Sequence, residues 1–117
     1  MTETFGNPPN STPSFRERRS VPRFSLIAAA DIVEPASGVH ISGRISEISR
    51  KGCYLDVLNT LPVGTHLRLT ISRDQGTFST EAKIIYAQDG MGMGILFLDT
   101  PAAQLQILDQ WLQELQR

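Results

Sequence analysis

Residues 66–86 read HLRLTISRDQGTFSTEAKIIY and predict two strands joined by a tight turn. Leu67, Leu69 and Ile71 alternate with polar residues, which is the pattern of a strand with one buried face. Residues 74–76, Asp-Gln-Gly, predict a hairpin turn, and a second alternating run extends from about Phe78 to Tyr86. Because so short a turn leaves no room for a crossover, these two strands are predicted to pair antiparallel.

Four further alternating runs flank this hairpin. We predict a strand from Phe24, one from about His40 to Glu47, one from Gly52, and one after the Asp89-Gly90 turn. No helical pattern separates these runs, which excludes a parallel sheet and leaves an antiparallel barrel or sandwich. A barrel is favoured because closure removes exposed strand edges. The residues predicted to face inward on the first and last strands are Phe24, Leu26, Ala28, Ala30, Ile32, Met91, Met93, Ile95 and Phe97.

The end of the chain has helical rather than strand periodicity. Thr100 is predicted as the N-cap and Pro101 as the first helical residue, with the helix running over residues 101–116. An apolar stripe follows at helical spacing, formed by Leu105, Leu108, Trp111, Leu112 and Leu115. So short an amphipathic helix is marginal alone, and we expect it to dock on the barrel or on a partner.

Length and composition suit a single domain. The chain has 117 residues and a net charge of −1, and residues 1–15 are rich in Pro, Ser, Thr and Asn, which predicts a disordered tail. We therefore expect one domain over residues 16–117, divided into an arginine segment (16–23), a barrel (24–99) and the helix. The chain contains no apolar run long enough for a membrane span, and its single cysteine fits a reducing cytoplasm.

Four arginines and one glutamate occupy residues 16–23, on an otherwise acidic protein. Guanidinium groups pair bidentately with phosphate and stack on flat bases. Arg19 and Arg23, four residues apart around Pro22, are therefore candidates for gripping a nucleotide. A solvated charged linker would have the same composition, so this segment alone leaves both interpretations open.

A second polar cluster, residues 47–52, follows the second strand. The Glu47 carboxylate suits the paired N–H donors of a guanine edge, Ser49 offers a hydroxyl, and Gly52 permits a tight turn. Ile45 and Ile48 lie three residues apart, which predicts a bulge or a strand end. By itself, this cluster is better explained as an ordinary polar hairpin turn.

Taken together and in order, these two clusters resemble the PilZ family. The matching residues are Arg19 and Arg23 before the first strand, then Glu47, Ser49 and Gly52 at acid-x-Ser-x-x-Gly spacing. Supporting matches are LPVG at residues 61–64 and GMGILF at residues 92–97, so that the resemblance covers roughly residues 16–100. It implies a six-stranded antiparallel barrel with a C-terminal helix, and binding of the bacterial second messenger cyclic di-GMP.

The resemblance also implies which residues meet the ligand. Arg18, Arg19 and Arg23 would hold phosphates and bases, and Glu47, Ser49 and Gly52 would meet a guanine. An arginine at the position of Arg18 goes with two stacked ligand molecules per chain in similar proteins. The family usually has Asp or Asn where this chain has Glu47, so the reach of the carboxylate to the guanine is altered by one methylene.

We accordingly expect a cyclic di-GMP receptor that orders its arginine segment and thereby alters contacts with an unidentified effector protein, in motility or exopolysaccharide regulation. The alternative is a PilZ-like adaptor that binds no nucleotide and acts through protein contacts alone. Glu47 is the feature that favours this alternative.

Other functional classes find little support in the sequence. No nucleophile–base pair, metal cluster or phosphate loop points to an enzyme or a cofactor. His40 and His66 lack partners at metal-ligand spacing, and Cys53 is predicted to be a core thiol. Few aromatic residues and a negative net charge argue against DNA or RNA as a partner. Gly90, Gly92 and Gly94 are expected to allow close packing on the barrel surface.

Overall fold

The computed structural model describes residues 21–74 and 76–116. Within these residues every paired strand is antiparallel, and the sheet closes into a barrel in the order β1-β2-β3-β6-β5-β4. The elements are β1 (Arg23–Glu34), β2 (Val39–Ser49), β3 (Gly52–Asp56), β4 (His66–Arg73), β5 (Gly76–Gln88), β6 (Gly92–Leu98) and the helix α1 (Ala102–Leu115). The predicted barrel with a C-terminal helix is confirmed.

The barrel interior is filled by one side of each alternating strand. Ile32 of β1 pairs with Leu69 of β4, where the barrel closes, and both side chains are buried. Met91 was predicted to face this core, and that prediction is wrong. β6 begins only at Gly92, and Met91 lies in the preceding turn with 58% of its surface exposed.

The barrel begins one residue earlier than expected, at Arg23. This arginine is the first residue of β1 and pairs in register with Ser49, the last residue of β2. The arginine segment is therefore not wholly outside the barrel. The predicted tail, Arg18 and Arg19 lie outside the described residues.

An irregularity in β2 sets the direction of the side chains that follow it. The pairing of β2 with β3 shifts between Ile45 and Glu47, so that Ile45 and Ile48 are both fully buried although they are three residues apart. The predicted bulge is confirmed. As a result, the side chain of Glu47 is directed outward, with 40% of its surface exposed.

The start of α1 differs from the prediction. Pro101, not Thr100, is the N-cap, and its carbonyl accepts hydrogen bonds from the N–H groups of Gln104 and Leu105. The Thr100 hydroxyl instead lies 2.8 Å from the hydroxyl of Thr80, a buried residue of β5. Buried hydroxyl groups require partners, and this tertiary contact takes the place of the cap.

The helix docks on the barrel through its predicted stripe. Leu108, Trp111 and Leu112 are buried, and the Trp111 ring meets Phe78 of β5 edge-on, with 6.2 Å between ring centroids. β6 pairs with β5 from Glu81 onward, so the part of β5 before Glu81 has no pairing with β6. Just before that point, the side-chain oxygen of Gln104 accepts the backbone N–H of Ser79 at 2.8 Å, so α1 covers a stretch of strand edge.

Candidate functional site

The structure brings four of the six predicted site residues together. Arg23 at the start of β1, Glu47 and Ser49 at the end of β2, and Gly52 at the start of β3 surround one corner of the barrel. They meet there because β1 and β2 are antiparallel, which places the beginning of one strand beside the end of the other. Arg18 and Arg19 lie outside the described residues.

Arg23 and Glu47 form an ion pair across β1 and β2, with 3.3 Å between Nη1 and Oε1. Their side chains are 24% and 40% exposed. At such exposure an ion pair contributes only about 0–1 kcal/mol, because water and salt screen it. A ligand that offers a phosphate to the guanidinium and N–H donors to the carboxylate can therefore replace this contact at little cost.

Ser49 has a structural role that the sequence did not indicate. Its side chain is buried, and its hydroxyl oxygen accepts the backbone N–H groups of Lys51 at 3.1 Å and Gly52 at 3.2 Å. The same hydroxyl donates to the carbonyl oxygen of Gly52, with 3.4 Å between the two oxygen atoms. Ser49 thus closes the turn between β2 and β3 and helps to hold that turn in shape.

A glycine is required at position 52 because β3 and β6 approach each other closely there. It pairs with Leu96 of β6, and a Cβ atom at this position would overlap the carbonyl oxygen of Ile95. The sequence interpretation assigned the glycine to turn flexibility, but the structural demand is the close contact between β3 and β6.

These residues border a half-open pocket on the outer face of the barrel, with an empty volume of about 520 Å³ that includes open solvent. Its charged members, Arg23, Glu47 and Lys51, lie beside an apolar surface to which β5 and β6 contribute. The residues that line it are Val21, Arg23, Glu47, Ile48, Ser49, Lys51, Gly52, Cys53, Tyr54, Ile85, Gly94, Ile95 and Leu96. A planar ligand with an anionic group fits this division into polar and apolar parts.

Sequence reasoning missed Tyr54 as a member of this pocket. Tyr54 alternates with the buried Cys53 and Leu55, so its outward direction could have been predicted. Its neighbours on β6 could not, since they lie some forty positions further along the chain. Partial burial, followed by the proximity of Tyr86 and Asp56, raises the pKa of Tyr54, which keeps its hydroxyl protonated.

Cys53 lies in the barrel wall beneath the pocket. It is buried, as predicted, and burial raises the pKa of its thiol because the thiolate would lose its hydration. The thiol is therefore neutral and poorly reactive at physiological pH.

An ion pair links the site to the C-terminal helix. Arg50, in the turn between β2 and β3, approaches Asp109 of α1 with 2.9 Å between Nε and Oδ1. A groove beside this pair is bordered by Val21, which also lines the pocket. The turn between β2 and β3 is thus in direct contact with α1.

Among residues 21–74 and 76–116, no group of three or more His, Cys, Asp or Glu side chains could hold a metal ion. In the same part of the chain, no helix has the length and apolar character needed to cross a membrane.

A closed antiparallel barrel with a docked helix and a half-open pocket defines a small β-barrel domain. The family model described as "PilZ domain" matches residues 17–114, and the chain belongs to this family. No curated protein sequence matches the chain.

Solved structures share the fold. The PilZ domain of YcgR from Escherichia coli, described with c-di-GMP, has a TM-score of 0.71 at 16% identity, with 86% of this chain and 92% of that chain covered. The PilZ domain of CeSA from a cellulose-synthesizing bacterium has a TM-score of 0.63 at 18% identity, with 81% and 98% covered. The Bacillus subtilis inhibitor of motility MotI/DgrA has a TM-score of 0.65 at 22% identity, with 80% of this chain covered. The match spans 48% of MotI/DgrA, about half of its length.

Proposed function

We propose that this protein is a receptor for cyclic di-GMP, which binds in the pocket on the outer face of β1, β2, β3 and β6. The observation that carries the proposal is the juxtaposition of Arg23 and Glu47 at the pocket rim, 3.3 Å apart. One is complementary to a phosphate and the other to a guanine edge. The YcgR domain that shares this fold is described with the same nucleotide.

Each site residue then has a distinct task. Arg23 exchanges its contact with Glu47 for a ligand phosphate, and Glu47 accepts the adjacent N–H donors of a guanine. Ser49 and Gly52 keep the turn between β2 and β3 in the shape that aims Glu47. Arg18 and Arg19 supply further guanidinium groups from the segment before β1, in a domain that extends over residues 16–117.

The signal is relayed through the arginine segment in this proposal. The segment orders over the bound nucleotide, and the changed surface alters contacts with a separate effector protein in the cytoplasm. Val21 borders both the pocket and the groove beside α1. A movement of Val21 on ligand binding would therefore also alter the surface of this groove. Control of motility or of exopolysaccharide synthesis is the expected output, and no DNA or RNA partner is involved.

Calorimetric titration with cyclic di-GMP tests the proposal. Arg23→Ala removes a charge-assisted hydrogen bond and should weaken binding by roughly ten- to a hundredfold. Arg68→Ala is the matched control, because Arg68 pairs with Glu81 on the outer face of β4 and β5 and does not line the pocket. Equal affinity of both variants and the unaltered protein would exclude this site. Single-stranded DNA serves as the control ligand and should not bind.

The same titration measures stoichiometry. We propose that two nucleotides stack in the site, with Arg18 holding the second, so that the unaltered protein saturates at two ligands per chain and Arg18→Leu at one. Saturation of the unaltered protein at a single ligand would contradict this part of the proposal.

A nucleotide-free adaptor is the second candidate. Glu47, in place of the shorter acid or amide usual in the family, already pairs with Arg23, and this pairing competes with a ligand. The adaptor would give no binding heat with cyclic di-GMP, and its effector contact would survive Arg23→Ala.

A further inference from the structure

Tyr54 is placed to contact whatever Glu47 holds. It lies on β3 directly across from Glu47 on β2, and on its other side it pairs with Gly94 of β6. Directly paired side chains on one face of an antiparallel sheet have Cβ atoms about 4.5–5.5 Å apart. Tyr54 and Glu47 both line the pocket, so an aromatic ring and a carboxylate adjoin within it.

A glycine in β6 allows the ring of Tyr54 to lie down across the sheet. A Cβ atom at Gly92 would come within 2.6 Å of Tyr54 Cε2 and 2.9 Å of Cζ. Any larger residue at this position would push the ring away from the barrel. The tyrosine therefore rests on bare backbone, with part of its surface open to the pocket.

The far end of the ring is held away from the Arg23 side of the site. The hydroxyl groups of Tyr54 and Tyr86 both donate to the side-chain oxygen of Gln88, at 3.5 and 3.3 Å. With its hydroxyl directed to Gln88, the ring offers the pocket its apolar carbon surface rather than a polar group.

We propose that Tyr54 is the stacking platform for the guanine base whose edge Glu47 reads. This inference rests on the proposed function and assigns a ligand-contacting residue outside the arginine and acid-x-Ser-x-x-Gly motifs. Stacking explains why a pocket with a charged rim has an apolar floor, which includes Gly94 and Leu96. A base held at its edge by Glu47 also needs a contact for its face, and among the described residues Tyr54 supplies the aromatic ring that lines the pocket.

Affinity measurements on three variants test the platform. Tyr54→Phe keeps the ring and should bind cyclic di-GMP nearly as tightly as the unaltered protein. Tyr54→Ala and Tyr54→Leu should bind roughly ten- to a hundredfold more weakly, which is the usual loss for one stacked base. Tyr54→Leu retains an apolar group over Gly92, so this variant should stay folded. A thermal melt then shows whether a loss of affinity in Tyr54→Leu comes from lost stacking or from unfolding.

Tyr86→Ala is the matched control. Tyr86 shares the acceptor Gln88 and adjoins Gly94, but it does not line the pocket, so this variant should bind normally. Proton NMR of the ligand provides a second measurement, because the chemical shift of a base proton changes when an aromatic ring lies against the base. The guanine H8 resonance should shift upfield in complexes of the unaltered protein and Tyr54→Phe, and much less with Tyr54→Leu.

The outcomes distinguish this inference from the proposed function. If Arg23→Ala weakens binding while Tyr54→Leu and Tyr54→Ala bind as tightly as the unaltered protein, the platform is wrong and the receptor function stands. If the unaltered protein binds no cyclic di-GMP, both fail together. A shift of H8 that is equal in Tyr54→Phe and Tyr54→Leu would also overturn the platform.

Discussion

Ser49 illustrates how one buried hydroxyl supports a surface site. Ser49→Ala leaves the turn N–H groups of Lys51 and Gly52 without their acceptor, which should lower the free energy of unfolding by about 1–3 kcal/mol. Thermal melts provide the measurement. Ser42→Ala, at an exposed serine that donates to Asp31, is the control and should change stability by no more than about 0.5 kcal/mol. Equal melting temperatures for both variants would mean that the turn does not depend on Ser49.

Glu47 is the residue on which guanine recognition depends in this account. Glu47→Gln replaces a carboxylate, which can accept from two adjacent N–H groups, with an amide that has a single acceptor oxygen. Affinity for cyclic di-GMP should fall roughly tenfold or more, in line with the loss of one charge-assisted hydrogen bond. Glu81→Gln, which alters the partner of Arg68, should leave the calorimetric affinity unchanged. Unchanged affinity of Glu47→Gln would remove Glu47 from the site.

At the scale of the elements, α1 is held to the barrel by both apolar and polar contacts. Gln104→Ala should expose the backbone N–H of Ser79 and destabilise the protein by about 1 kcal/mol, with faster hydrogen exchange at that amide. Gln106→Ala, at an exposed position on the same helix, has the same effect on helix propensity and serves as the control. Slow exchange at Ser79 in the Gln104 variant would show that the edge is protected in another way.

Among the elements, sequence patterns predicted some features correctly and missed others. Alternation predicted the strands, and the spacing of Ile45 and Ile48 predicted the β2 bulge, because both follow from which side chains are buried. The position of Thr100 did not reveal that the buried Thr80 would engage its hydroxyl. The hydrogen bonds by which Ser49 closes its turn were not predicted either, because a sequence does not report that this side chain is buried. Tyr54 was missed because its pocket neighbours are distant in sequence and come together only when β3 pairs with β6.

At the scale of the whole molecule, electrostatic attraction of the ligand has to be local. The net charge is −1, so the protein as a whole does not attract an anion, and in the proposed site the phosphate contacts would rely on local arginines such as Arg23. Affinity for cyclic di-GMP should therefore decrease as salt increases, since exposed charges are screened beyond about 8 Å at physiological ionic strength. Titrations at low and high sodium chloride measure this effect, and an affinity independent of salt would show that ion pairing is not the main contact.

The most direct test of the central claim, that cyclic di-GMP binds on the outer face of β1, β2, β3 and β6, is amide NMR of the labelled protein during titration. Cyclic di-GMP should shift the resonances of Arg23, Glu47, Gly52, Tyr54 and Gly94. The amides of Arg68 and Glu81, which do not line the pocket, should stay unchanged. Shifts confined to β4 and β5, or no shifts at all with saturating ligand, would contradict the account.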